Sequence, residues 1–403
     1  MAGTDRKTVK RRRVFYIPGY DPIPPRRYRE LYRKEGAAQA AISGYEIALS
    51  PKTGSGPYGW HVSAQIEGAE VEADVEVLLW SDIVRDSMAR GIGATYLQLA
   101  RTAWIYISTG ALFRLMRLRK GPVIAALYPV LMLLGQLALA LGLARGAGAA
   151  LALSGVPFVG WLGLVLVWPV LGWFRRHDNK LYAYYLMHDY AFSARWRGAN
   201  PPALAARLAA FRDTVAEALR DDVDEVLVVG HSSGAHLAVS VLADLIRAGG
   251  VAEEGPALSF LSLGQVVPMV SFLPAADRLR ADLAYLSARD EVAWLDVTAP
   301  GDGCAFALCD PVSVSGVAPE GKRWPLVISA AFTRTLSPDR WKELRWRFFR
   351  LHFQYLCAFD RPGDYDYFRV TAGPLTLGAR YAGRAPSKSR IETPLSPYRT
   401  VAA

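Results

Sequence analysis

Glu225-Val226-Leu227-Val228-Val229-Gly230-His231-Ser232-Ser233-Gly234 is the stretch that decides the fold, and the rest of the 403-residue chain is read outward from it. An uninterrupted apolar run fits a strand buried on both faces of a parallel sheet, because alternation is needed only where one face meets water. Residues 235–247 then take up helical apolar spacing. A strand that enters a helix through so short a turn forces backbone against backbone, so the residues two before and two after the central serine must be small. Gly230 and Gly234 meet that demand and single out Ser232, rather than Ser233, as the side chain raised at the turn. The turn lacks the second glycine of G-x-G-x-x-G, which excludes a dinucleotide cradle.

The flanking sequence alternates in the same way. Residues 14–17 read as a short strand running into Pro18-Gly19-Tyr20-Asp21-Pro22, with a helix over 28–42; 45–49, 61–66 and 75–80 read as strands. After a helix over 203–220 and the opening stretch, further strands are expected at 258–263, 292–298 and 325–330. This is an α/β pattern with a mainly parallel sheet flanked by helices. A hydrophobic fraction of 52% excludes a disordered chain, and three cysteines, Cys304, Cys309 and Cys357, are too few for a disulfide framework.

One region does not fit a soluble α/β body. Residues 123–144 carry no charge, and a second uncharged run covers 146–174, with Arg145 between them. A 22-residue helix spans about 33 Å, enough for a hydrocarbon core of about 30 Å. The two runs therefore predict a transmembrane helical hairpin inserted before the strand at 225–229. Arg114, Arg117, Arg119 and Lys120 flank one side, and Arg175, Arg176 and Lys180 the other, which predicts both termini and the body on the cytoplasmic side of the inner membrane. The basic start of the chain has no apolar h-region behind it and is not a signal peptide. Residues 102–113 are too short to span and read as an interfacial helix. The expected division is thus an N-terminal arm (1–82), a helical lead-in (83–122), the hairpin (123–174), a second arm (175–384) and a disordered tail rich in Pro and Ser (385–403).

Gly230-His231-Ser232-Ser233-Gly234, in its strand, turn and helix setting, resembles the nucleophile elbow of the α/β-hydrolase superfamily, with a nearer likeness to lipase-type serine hydrolases. The resemblance covers the two arms and not the hairpin. It implies a triad in the chain order serine, acid, histidine, with an oxyanion hole of two backbone amides. Of the six histidines, only His236 and His352 follow Ser232. His236 sits on the helix just after the turn and is poorly placed to reach back, so His352 is the expected base. Asp302, in Ala299-Pro300-Gly301-Asp302-Gly303 after a strand, is the expected acid; Asp296 within that strand and Asp310 before Pro311 remain alternatives. The amides of Ser233 and Tyr20 are the expected oxyanion donors, although Pro18 stands where many lipases have a histidine.

No cofactor or metal is expected: Cys304 and Cys309, and His231 and His236, lack ligand spacing. The net charge of +10 could point to nucleic acid, but the basic clusters lack interleaved aromatics. Their position beside the hairpin points to anionic membrane lipids instead. The sequence thus predicts a membrane-anchored serine esterase acting on a lipid or other apolar acyl ester. A catalytically silent scaffold, or an acyltransferase sharing the same triad, are the alternatives.

Overall fold

In the computed structural model, which describes residues 7–89 and 91–401, the deciding stretch forms strand β5 (Glu225–His231), buried along its whole length. It lies inside an eight-stranded sheet whose other strands are β1 (Arg11–Ile17), β2 (Glu46–Pro51), β3 (Gly59–Ile66), β4 (Ala69–Val77), β6 (Ala257–Leu263), β7 (Val292–Thr298) and β8 (Leu326–Ser329). The spatial order is β2-β3-β4-β1-β5-β6-β7-β8. Every neighbouring pair is parallel except β2–β3 and β3–β4, so β3 alone runs backwards. From β1 the chain moves toward β4, and from β5 it moves the other way toward β6. The boundary between β1 and β5 is therefore a switch point, where loops at the strands' carboxyl ends open a crevice.

Helices α1 (Arg26–Ser43) and α10 (Ser233–Arg247) follow β1 and β5. They bury separate hydrophobic layers, with α1 over Val14, Trp60 and Leu227 and α10 over Phe15, Val228 and Phe260. Each fully buried aliphatic or aromatic side chain contributes about 1.5–3 kcal/mol relative to exposure.

β1 and β5 are clamped at their starts by a buried ion pair. The Arg12 guanidinium donates to Glu225 Oε2 at 2.6 Å and to the carbonyls of Gly373 and Leu375, while Glu225 Oε1 accepts from Ser259 Oγ and the Leu377 amide. Every charge is met, so removing one partner strands the other in the core. Glu225→Ala should lower unfolding free energy by about 3–5 kcal/mol, read from urea midpoints, whereas an Arg12→Met, Glu225→Met double replacement should restore most of it.

The hairpin of β3 and β4 differs from expectation. β3 and β4 join through Glu67 and Gly68, both at positive φ (56° and 77°), which is the two-residue turn favoured by the twist of antiparallel strands. β4 thus begins at Ala69 and ends at Val77, while Trp80 precedes the next helix. The acidic residues Glu70 and Glu72 point to solvent and hide the strand pattern of Val71, Ala73 and Val75.

Between β4 and β5 come α2 (Ser81–Met88), α3 (Ile92–Ser108), α4 (Ala111–Leu118), α5 (Lys120–Ala152), α6 (Val167–Arg176), the single turn α7 (Asp178–Leu181), α8 (Ala183–Arg195) and α9 (Pro202–Ala218). The expected interfacial helix over 102–113 is instead shared by α3 and α4, with a break at Gly110, whose φ is 70°. The first uncharged run forms one unbroken helix, α5, of 33 residues or about 50 Å. It is long and apolar enough to cross a membrane, and only 28% of its most apolar stretch is buried within the protein.

The second run does not form a matching helix, which corrects the expected pair of regular spans. Residues 153–158 turn, Val159–Leu166 wind as a 3₁₀ helix, and only α6 is α-helical. Pro169 falls in the first turn of α6, where its missing N–H would have had no intrahelical acceptor. This segment returns antiparallel along α5: Gly160 lies on Gly148, Gly163 on Ala144, and Leu171 beside Ala140.

The tail from 385 onward, expected to be disordered, is docked as far as it is described. The Ser387 amide bonds Val327 O, Ile391 pairs with Cys309, Leu395 and Ser396 amides reach Val314 O, and Arg280 binds Thr400 O. Its backbone donors find acceptors on the body, which composition alone does not reveal. Residues 1–6 and 402–403, at the ends of the first arm and the tail, lie outside the described residues.

Candidate active site

Ser232 links β5 to α10 with φ 56° and ψ −120°, a strained conformation for a non-glycine residue, held because strand and helix are both fixed by the core. The glycines around it have steric work to do. A Cβ at Gly230 would lie 2.7 Å from Ala235 Cα, and one at Gly234 only 2.0 Å from the Ile17 carbonyl oxygen. Gly19, in the loop after β1, approaches from the other side of the switch point, since its Cβ would stand 2.9 Å from that of Ser232. This contact brings Tyr20 to the wall of the same cavity. Ser233 heads α10, where helix geometry leaves the first amides without intrahelical acceptors and places the positive end of the dipole.

His352 closes the short helix Phe348–His352, and its imidazole enters this cavity. Asp302 lies in the loop after β7. His352 Nδ1 donates to Asp302 Oδ2 at 2.7 Å. The same oxygen accepts the Tyr355 hydroxyl at 3.0 Å, and Oδ1 accepts the Cys304 amide at 2.9 Å. Burial works against a charge on Asp302, but the opposing His352 and these donors outweigh it and hold the carboxyl below its usual range. An ionised Asp302 can only accept, so the Nδ1 proton is fixed and Nε2 is left as the lone-pair nitrogen.

The two other acids lie elsewhere. Asp296 is buried inside β7, accepts from Ser262 Oγ at 2.6 Å, and is pushed by burial up to about 8. Asp310 caps the turn Pro311–Val314 and pairs with Lys322 at 2.6 Å. His236 is buried within α10, where desolvation takes it down to about 4.

Sequence reasoning missed four neighbours. His231 Nε2 donates to the His352 carbonyl at 3.0 Å, and its ring lies 4.8 Å from the His352 ring. Burial, then repulsion from His352, lowers it to about 3 and keeps it neutral. Tyr355 takes the Ala299 amide on its hydroxyl oxygen while donating to Asp302. Its place three residues after His352 was the available signal. Cys304 and Asp189 also line the cavity, and no local motif marks either.

Asp302, His352 and Cys304 gather three metal-type donors within 4.8 Å, a cluster that sequence spacing did not suggest. Asp302 and His352 spend their facing atoms on each other, and burial raises the Cys304 thiol well above its usual range, so it stays protonated. A cation there would have to break the 2.7 Å Asp302–His352 bond and displace the Cys304 proton.

The cavity itself is narrow, about 90 Å³, and is walled by Tyr20, Tyr106, Tyr185, Tyr190, Phe349 and Phe353 around Ser232 and His352. It touches the membrane-capable helix directly, because Pro122 in the first turn of α5 lines it and Gly121 packs on Gly303 beside the acid. No family model, curated protein or solved structure matches this chain.

Proposed function

We propose that the protein is a membrane-anchored serine hydrolase of the α/β-hydrolase kind that cleaves an ester of a lipid or other apolar acyl group. The observation that carries the reading is the 2.7 Å Asp302–His352 pairing in the same cavity as a serine held at positive φ. A serine hydroxyl is a poor nucleophile until an imidazole takes its proton. In the proposed cycle His352 Nε2 removes the Ser232 proton as Oγ bonds to the acyl carbon. The oxyanion rests on the Ser233 and Tyr20 amides, and His352 then gives the proton to the departing alcohol. Water, deprotonated by the same nitrogen, splits the acyl-serine bond and restores Ser232. Asp302 stays ionised and stabilises the imidazolium.

Anchoring is supported by the surface of the insertion. Leu131, Trp161 and Trp168 are 68%, 70% and 65% exposed, and α5 offers no polar face. Eight 3₁₀ residues and the ten of α6 extend about 31 Å, close to a hydrocarbon thickness despite the irregular winding. Because the segment returns along α5, Lys120 and the pair Arg175 and Arg176 fall at one end, as expected for a cytoplasmic flank. Gly155→Cys, in the turn at the far end, should react with an impermeant maleimide only from outside intact cells; labelling only after lysis would remove the hairpin reading.

The catalytic proposal is tested by a fluorophosphonate probe on the full-length protein in membranes. Wild type should be labelled and Ser232→Ala should not, at equal thermal stability. A folded wild type that resists labelling would favour the silent-scaffold alternative, and product analysis with an added alcohol separates acyl transfer from hydrolysis.

A further inference from the structure

The cavity's charge runs against that of the chain. Among its described lining residues are two acids, Asp21 and Asp189, and no lysine or arginine, although the chain holds 47 basic residues. Asp21 is already committed, accepting the Tyr28 hydroxyl at 2.6 Å and the Ile23 amide at 2.9 Å. Asp189, projecting from α8, accepts a hydrogen bond from no described residue. The phenols around it are turned to other acceptors: Tyr106 donates to the Met269 carbonyl and Tyr185 to the Tyr20 carbonyl. An unpaired carboxyl is costly in an apolar wall unless a ligand completes it.

We propose that Asp189 is the specificity residue of this site and receives an ammonium group carried by the ester substrate. The assignment rests on the esterase reading of the cavity and narrows its substrate class. A carboxylate flanked by aromatic rings binds an ammonium by charge and by the negative ring faces, while a phosphate, sulfate or free carboxylate is repelled. The narrow cavity limits that group to a small one. Two sources share the chemistry: an amino group on the acyl side, as in an aminoacyl ester, and one on the alcohol side, as in an amino-alcohol ester.

Proton linkage gives a second handle. Burial pushes Asp189 up to about 7, opposed by His352. The groups coupled to it are Tyr106 on α3, Tyr185 and Tyr190 on α8, Cys304 after β7 and His352; Asp21 shares the cavity from the β1 loop. Burial raises the three phenols and the thiol, so they stay neutral across this range. An ammonium favours the ionised carboxylate. Its affinity should therefore rise with pH through about 7 and fall toward tenfold per unit below it.

The experiment uses full-length protein in detergent and two matched pairs of esters. Acetylcholine against 3,3-dimethylbutyl acetate tests the alcohol side, and alanine ethyl ester against ethyl isobutyrate tests the acyl side. In one pair the charged member should be favoured about tenfold in kcat/KM, and Asp189→Asn should bring that ratio to about one. Turnover of the neutral esters with no charge preference in either pair overturns the assignment and leaves the esterase reading intact. In a catalysis-free arm, tetramethylammonium should raise the Tm of Ser232→Ala protein in a pH-dependent way, and not that of the Ser232→Ala, Asp189→Asn protein. If it does so while wild type cleaves no ester, the esterase reading fails and the ammonium site stands. If the cation stabilises neither protein, the ammonium site falls.

Discussion

Asp302→Asn should lower kcat on a chromogenic ester about 10⁴-fold, with KM and Tm little changed. The carboxylate accepts from His352 Nδ1, Tyr355 and the Cys304 amide. An asparagine keeps the volume and one acceptor oxygen, but its NH₂ group can face Nδ1 and move the ring proton to Nε2. Nε2, the proposed base nitrogen, would then be a donor and could not take the hydroxyl proton. The control lies in the other two acids: Asp296→Asn and Asp310→Asn should keep kcat within about threefold, since neither contacts His352. If Asp296→Asn instead abolished turnover, the assignment of the acid to Asp302 would be wrong.

Gly234→Ala should be the most damaging single methyl in the molecule. The added carbon would lie 2.0 Å from the Ile17 carbonyl oxygen and 2.8 Å from that of Pro18, both backbone atoms where β1 ends and its loop begins. No side chain can rotate away, so β1 and α10 must separate. The expected loss is about 3 kcal/mol or more, read from urea midpoints, together with loss of probe labelling in whatever remains folded. Gly93→Ala is the counter-case, because that helical position has no neighbour within 4 Å of the added carbon. It should stabilise by about 0.5–1 kcal/mol.

These two variants also show what the sequence could and could not convey. The strand, turn and helix around Ser232 were legible because every constraint on them is local: a doubly buried strand must be apolar throughout, and the tight turn must be glycine-bracketed. The expected chain order of serine, acid and histidine came from the family resemblance rather than from local constraint, and the choice among three acids was not legible. It depends on which carboxylate lies deep in a strand and which lies in a loop, a matter of tertiary depth. Asp189 and His231 were illegible because their significance comes only from α8 and the short helix Phe348–His352 closing over the sheet edge. The second half of the insertion misled for a different reason. Its composition is as apolar as that of α5, but Gly160 and Gly163 let its first half wind tightly against that neighbour rather than as a regular helix. The tail misled because prolines and serines suggest solvation, while the backbone amides that dock it carry no signature in sequence.

The pairing of β1 with β5 joins residues 213 positions apart, as Arg12 and Glu225 show. At about 5–20 residues per second of synthesis, the first strand waits roughly 10–40 s for its central partner. Once β4 has been made it can cover one edge of β1, but the other edge stays open until β5 arrives, and the whole apolar segment of α5 and α6 is synthesised before β5 exists. The block β2-β3-β4-β1 is thus complete in the chain long before β5 to β8 can join it, and this non-local closure makes formation of the whole sheet slow. The insertion is therefore complete before the crevice between β1 and β5 can assemble, and the pair Asp302 and His352 joins that crevice only when the last third of the chain has been made.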